Sequence, residues 1–146
     1  VNELDLSVRI DASAPTVFRF FTDPERMCEW MGVAAAADPR PGGTYRVDVT
    51  GRDVASGSYV EIVPHSRVVW TWGWEGNPDF PPGSSTVEVT LVPDGDATVV
   101  RLRHTDLPDG PSAARHRDGW EHYLARLAVA GAGADPGSDP WIQRPS

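Results

Sequence analysis

Residues 112–130, Ser-Ala-Ala-Arg-His-Arg-Asp-Gly-Trp-Glu-His-Tyr-Leu-Ala-Arg-Leu-Ala-Val-Ala, most narrow what this chain can fold into. Read at ~100° per residue, Ala113, His116, Trp120, Tyr123, Leu124 and Leu127 fall on one arc of a helix, and Arg115, Asp118, His122, Ala125 and Arg126 fall opposite. Pro111 and Ser112 supply a start signal and Gly131 a stop. The apolar arc needs a cover. Most of the preceding chain alternates apolar with polar residues, so the expected cover is an antiparallel sheet. Two large aromatics and a histidine make a poor plain seam and suit the wall of a cavity.

The alternation begins at once. Leu4, Leu6, Val8 and Ile10 interleave with Glu3, Asp5, Ser7 and Arg9, the period of a strand with one buried face. Asp11-Ala-Ser-Ala-Pro then predicts a short helix, with Ser13 as cap, Pro15 in the first turn, and Val17, Phe18 and Phe21 as anchors. Asp23-Pro24 repeats the device for a second short helix, Pro24 to Met31. Residues 34–40 are small and apolar, and Pro41-Gly-Gly breaks the chain before a strand through Tyr45, Val47 and Val49. The next strand, Gly57 to Val63, has an ambiguous register, because Val60 and Ile62 compete with Tyr59, Glu61 and Val63 for the buried face; Tyr59 and Glu61 are taken inward. In the strand Val68 to Trp74, Val68, Trp70, Trp72 and Trp74 share one face. Residues 75–83 are a Pro- and Gly-rich loop, and strands through Val87, Val89 and Leu91 and through Val100, Leu102 and His104 form a hairpin about Pro93-Asp-Gly-Asp.

This order is the connectivity of an α+β helix-grip fold: a curved, six-stranded antiparallel sheet around a long C-terminal helix, with two short helices after strand one. Phe21-Thr-Asp-Pro-Glu-Arg-Met with Trp30 behind it, and Asp38-Pro-Arg-Pro-Gly-Gly-Thr-Tyr, resemble the START-like (SRPBCC) superfamily branch named for the activator of the Hsp-90 ATPase, in its single-domain prokaryotic form. Gly57-Ser-Tyr-Val-Glu-Ile-Val-Pro, Arg67-Val-Val-Trp-Thr-Trp, Ser85-Thr-Val-Glu-Val-Thr-Leu, Thr98 to His104, and His116 to Leu127 follow in that family's order. Each motif alone is weak; in sequence they reinforce one another. The resemblance implies a ligand pocket between sheet and helix, with residues 1–130 as the ligand-binding domain and 131–146, rich in Gly, Ala, Asp and Pro, as a flexible tail.

Charge and composition remove several function classes. The net charge of −8, with 21 acidic against 13 basic residues, opposes a phosphate backbone, so nucleic acid is not an expected partner. Cys28 is the only cysteine, which leaves no intrachain disulfide and predicts a cytoplasmic setting. The first residues carry no long apolar run, so neither a signal peptide nor membrane insertion is expected. No nucleotide-binding fingerprint or nucleophile elbow is present, and no cofactor is implied. His104, His116, Glu61 and Asp106 are the only set worth weighing as metal ligands, and their spacing fits no metal pattern.

The candidate ligand-binding residues are Trp30, Tyr59, Glu61, Trp70, Trp72, Trp74, His104, His116, Trp120 and Tyr123. The aromatics would stack on an apolar or aromatic molecule, and Glu61, His104 and His116 would supply polar contacts. The leading expectation is therefore a small-molecule binding protein. An enzyme of the polyketide cyclase or hydratase kind, using Glu61, His104 and His116 as acid and base groups in the same cavity, ranks second. A co-chaperone-like interaction domain, which the family name suggests, ranks third, and a homodimer stays open.

Overall fold

The computed structural model describes residues 2–142. Its elements are β1 (Leu4–Ile10), α1 (Ala14–Arg19), α2 (Pro24–Met27), β2 (Ala34–Ala37), β3 (Thr44–Asp48), β4 (Val54–Val63), β5 (Arg67–Trp72), β6 (Ser85–Asp94), β7 (Ala97–Thr105) and α3 (Gly110–Gly131). The strands form one curved, unclosed antiparallel sheet in the order β1-β7-β6-β5-β4-β3-β2. This is the expected helix-grip arrangement with seven strands rather than six. The extra strand, β2, is four alanines paired with β3 from Ala34↔Asp48 to Ala37↔Tyr45. Alanine carries no alternation for a sequence reading to detect, and the backbone ladder alone defines the strand.

β4 explains its own ambiguous register. A bulge between Tyr59 and Glu61 sets Tyr59 opposite Trp70 and Glu61 opposite Val69, so Val60 is an extra residue. Side-chain parity reverses across it: Tyr59 is buried, Val60 and Glu61 are exposed, and Ile62 returns to the core. Glu61 therefore faces away from the interior, where its carboxylate pairs with Arg67 at 3.3 Å.

The two short helices cover one end of the sheet. Asp23 caps α2 by accepting the Glu25 amide at 3.0 Å, whereas Ser13 makes no side-chain cap and donates to Thr16 Oγ1 instead. α2 closes at Met27, and the chain runs on to Met31 in tight turns. Under this cover, Phe21, Trp30, Trp70, Tyr45 and Tyr59 pack ring against ring, with Tyr45 stacked on Trp70 at 4.8 Å.

α3 starts where Asp109 accepts the Ser112 amide at 2.7 Å. With 22 residues it spans roughly 33 Å. Trp120, Tyr123, Leu124 and Leu127 of the expected arc are buried, and Ala113 and His116 are half-buried. At its far end Gly131 lies against Ile10 of β1, where a Cβ would come within 2.7 Å of the Ile10 side chain. That close approach seats the helix on β1. No helix of the described residues is long and apolar enough to cross a membrane.

Candidate functional site

Between the end of β5, the turn joining β3 to β4, the loop after β5 and the first half of α3 lies a cavity of about 720 Å³. Small-molecule sites run roughly 300–1,000 Å³. Gly73 makes possible the loop that supplies one wall. A Cβ there would sit 1.8 Å from the Pro81 carbonyl oxygen, so only glycine lets the loop fold back across the strand end. The crossing is locked by the Trp74 amide donating to the Phe80 carbonyl at 2.8 Å. Trp74 and Phe80 thereby come to face Trp72 on one side and His116, Trp120 and Tyr123 of α3 on the other.

The polar edges of Trp74, Trp120 and Tyr123 are bonded within the protein, whereas Trp72 Nε1 is buried without a hydrogen-bond partner among the described residues. Trp120 Nε1 donates to His104 Nδ1 at 3.0 Å. An indole nitrogen can only donate, so His104 is the tautomer protonated on Nε2. That proton goes to Ser85 Oγ at 2.8 Å, and the Ser85 hydroxyl donates to the Trp72 carbonyl at 2.7 Å. A second chain runs beside it. Trp74 Nε1 donates to His116 Nε2 at 3.0 Å, which leaves His116 Nδ1 to donate to the Ser112 carbonyl at 2.8 Å. Burial, with the neighbouring His116 adding to it, pushes His104 down to about 3. Burial also lowers His116, and Arg115 lowers it further against the opposing Ser112 hydrogen bond. Both imidazoles are neutral, and both nitrogens of each are engaged.

The residues after α3 fold back on its other flank. Asp139 accepts from Tyr123 Oη at 2.8 Å and from His122 Nε2 at 2.9 Å. Burial alone would raise the Asp139 carboxyl, but the Trp141 amide and the His122 and Tyr123 side chains hold it below its ordinary value. Arg126 reaches the Gly137 carbonyl at 3.0 Å. Trp141 stacks on His122 at 3.8 Å between ring centroids, and its ring completes the cavity wall. Within the segment expected to be a flexible tail, Gly137, Asp139 and Trp141 contact α3; residues 143–146 lie outside the described residues.

The family profile described as Activator of Hsp90 ATPase homolog 1-like protein matches residues 11–131. The chain belongs to this family. Among solved structures, an AHSA1-like protein from Rhizobium etli is 43% identical with a TM-score of 0.76, over 99% of this chain and 90% of that one. CalU16 from Micromonospora echinospora is 29% identical with a TM-score of 0.75, over 92% of this chain and 76% of that one. The Aha1 dimer from Colwellia psychrerythraea is 16% identical with a TM-score of 0.79, over 91% of this chain and 98% of that one, and at that identity it speaks to the fold alone. A search of curated proteins returns no match.

Within this AHSA1-like fold, the cavity takes five of the ten residues singled out in the sequence: Trp72, Trp74, His116, Trp120 and Tyr123. The other five lie off it. Trp30 is buried beneath the short helices, its Nε1 donating to the Phe20 carbonyl at 2.9 Å. Tyr59 is buried with its hydroxyl on the Phe21 carbonyl, Trp70 is wholly buried against Tyr45, and Glu61 points to solvent. His104 sits behind Trp120 with no exposure. Parity places a side chain on the inner face of a sheet, but it does not distinguish the packed end from the open one.

Sequence reasoning missed Phe80, Gly119, Arg115 and Trp141. Phe80 is the lone aromatic in a polar loop and Trp141 the lone aromatic in the tail, and each had that isolation as a signal. Gly119 lies one helical turn from His116 and Tyr123, where the absence of a side chain leaves room. Arg115 was put on the outer arc, but an arginine stem is long enough to bring its head to the mouth. Among the described residues no cluster of three metal-ligating side chains occurs.

Proposed function

We propose that this protein binds a small apolar or aromatic molecule in the cavity between the sheet and α3. The observation that carries the reading is the state of the rings. Trp72, Trp74, Phe80, Trp120, Tyr123 and Trp141 line one cavity, and the polar edges of Trp74, Trp120 and Tyr123 are satisfied inside the protein. Such a surface offers π-faces to stack on, and a ring system occupying it exchanges contact with water for close-packed aromatic contact. The same geometry counts against acid–base catalysis by the residues first considered. Glu61 is outside, and the lone pairs of His104 and His116 are already occupied by indole donors. The reading has the protein working in the cytoplasm, with Cys28 a free thiol.

Gly119→Leu tests it. Gly119 lines the cavity, and a Cβ added there meets nothing within 4 Å. Leucine would occupy cavity space from a Cβ that meets no neighbour and, in mid-helix, should raise helix stability by up to about 1 kcal/mol. The neutral probe N-phenylnaphthylamine should brighten on one-to-one binding to the native protein and fail to bind the variant. Equal binding to both proteins would show that the probe sits elsewhere. Absence of binding to the native protein, together with specific capture of a heat-shock ATPase, would favour the interaction role suggested by the family's description.

A further inference from the structure

The charged groups at the cavity mouth differ in how far their hydrogen-bonding capacity is already taken up. Glu75, on the lip, is held by Arg46 through two hydrogen bonds of 2.8 and 3.2 Å. Asp53 is exposed and accepts from the Thr50 hydroxyl at 3.1 Å. Asp109, at the start of α3, accepts from the Ser112 amide and the Ser112 hydroxyl and lies near enough to Arg115 to feel its charge. Arg115 is the one lining residue with a full positive charge, and among the described residues it makes no salt bridge. Its one side-chain hydrogen bond, 3.2 Å long, goes to Ser112 Oγ. The remaining guanidinium N–H groups are uncommitted. Ser112, buried on the cavity wall, accepts that bond and gives its own hydroxyl proton to Asp109.

Resting on the reading of the cavity as a ligand site, we propose that its ligand is an aromatic compound bearing an anionic oxygen, a carboxylate or phenolate, held by the uncommitted N–H groups of Arg115 while the ring lies against Trp72, Trp74 and Trp120. The chemistry is complementary at both ends. A planar guanidinium presents paired donors to a carboxylate, and the inner wall offers ring faces, its one unpartnered donor, Trp72 Nε1, being itself buried from solvent. A cationic aromatic would gain from the ring faces but would bring its charge up to Arg115.

The test uses three probes of one ring size, naphthoate, naphthalene methanol and naphthylmethyl trimethylammonium, each displacing N-phenylnaphthylamine from the full chain. The native protein should bind naphthoate about tenfold more tightly than the alcohol, the least expected of one charge-assisted hydrogen bond, and the ammonium compound most weakly. Arg115→Met should weaken naphthoate at least tenfold more than it weakens the alcohol, bringing the two to parity. The proposal is overturned if the native protein binds the alcohol or the ammonium compound as tightly as naphthoate, or if Arg115→Met weakens acid and alcohol equally. If none of the three displaces the dye, the cavity reading falls with it, so the two failures are told apart.

Discussion

Lowering the pH from 7 to 5 should destabilise this protein chiefly through His104. The ring is fully buried, with Nδ1 taken by Trp120 and Nε2 committed to Ser85, so a second proton on it breaks the Trp120 bond and buries a charge. Its folded value lies near 3 against an ordinary 6.5. For a base depressed on folding, stability is fully present above the unfolded value; it declines as pH falls below that value, because the unfolded chain takes up the proton and the folded one does not. The slope is about 1.4 kcal/mol per pH unit for one group. Between pH 7 and 5 the loss from His104 is about 2 kcal/mol, and His116, depressed in the same sense, adds to it. The carboxyls held low in the folded state, Glu75, Asp109 and Asp139, have ordinary values of 4.5 and 3.8 and so enter mainly below this window. Urea unfolding followed by tryptophan fluorescence should show the loss, and His104→Gln should remove most of the pH slope while lowering stability at pH 7. A native protein equally stable at pH 7 and 5, or a His104 nitrogen resonance titrating near 6.5, would refute the assignment of this ring as a locked neutral acceptor.

The remaining expectations concern the walls of the cavity. Trp120→Ala should cost about 3–5 kcal/mol in chemical denaturation, because the ring is packed and hydrogen-bonded as well as cavity-facing; Trp74→Ala, at a half-buried ring, should cost less than half of that. Gly73→Ala should destabilise by about 1–3 kcal/mol, since the Pro81 carbonyl it meets is backbone and cannot swing aside, and it should abolish dye binding by freeing Trp74 and Phe80. Asp139→Ala should release Trp141 from the cavity wall, seen as faster amide exchange over residues 132–142 with little change in global stability.

The helix, the strand face bearing Val68, Trp70, Trp72 and Trp74, and the hairpin of β6 and β7 were legible because each repeats a burial period over several residues. β2 was not, since a run of alanines has no period. The facing of Glu61 was not, because a single bulged residue, Val60, inverts everything beyond it. The site was half legible for a related reason. Trp70 and Trp72 have the same parity on one strand, yet Trp70 is sealed by Tyr45 and the short helices while Trp72 opens to the cavity. That difference depends on how far the covering elements reach along the sheet, a tertiary matter. The roles of His104 and His116 also emerge only in three dimensions: each resembles a catalytic histidine in sequence, and each is spent on an indole. Phe80 and Trp141 arrive from segments with no periodicity at all.

The central claim is that an aromatic ligand occupies the space between β5 and α3. The most direct measurement is a titration of naphthoate into isotopically labelled protein, following the indole N–H resonances of the six tryptophans. The resonances of Trp72, Trp74, Trp120 and Trp141 should shift together along one saturable binding curve, while those of Trp30 and Trp70, sealed in the packed end of the fold, stay in place. Shifts confined to Trp30 and Trp70, or no saturable shift in any of the six, would contradict the account.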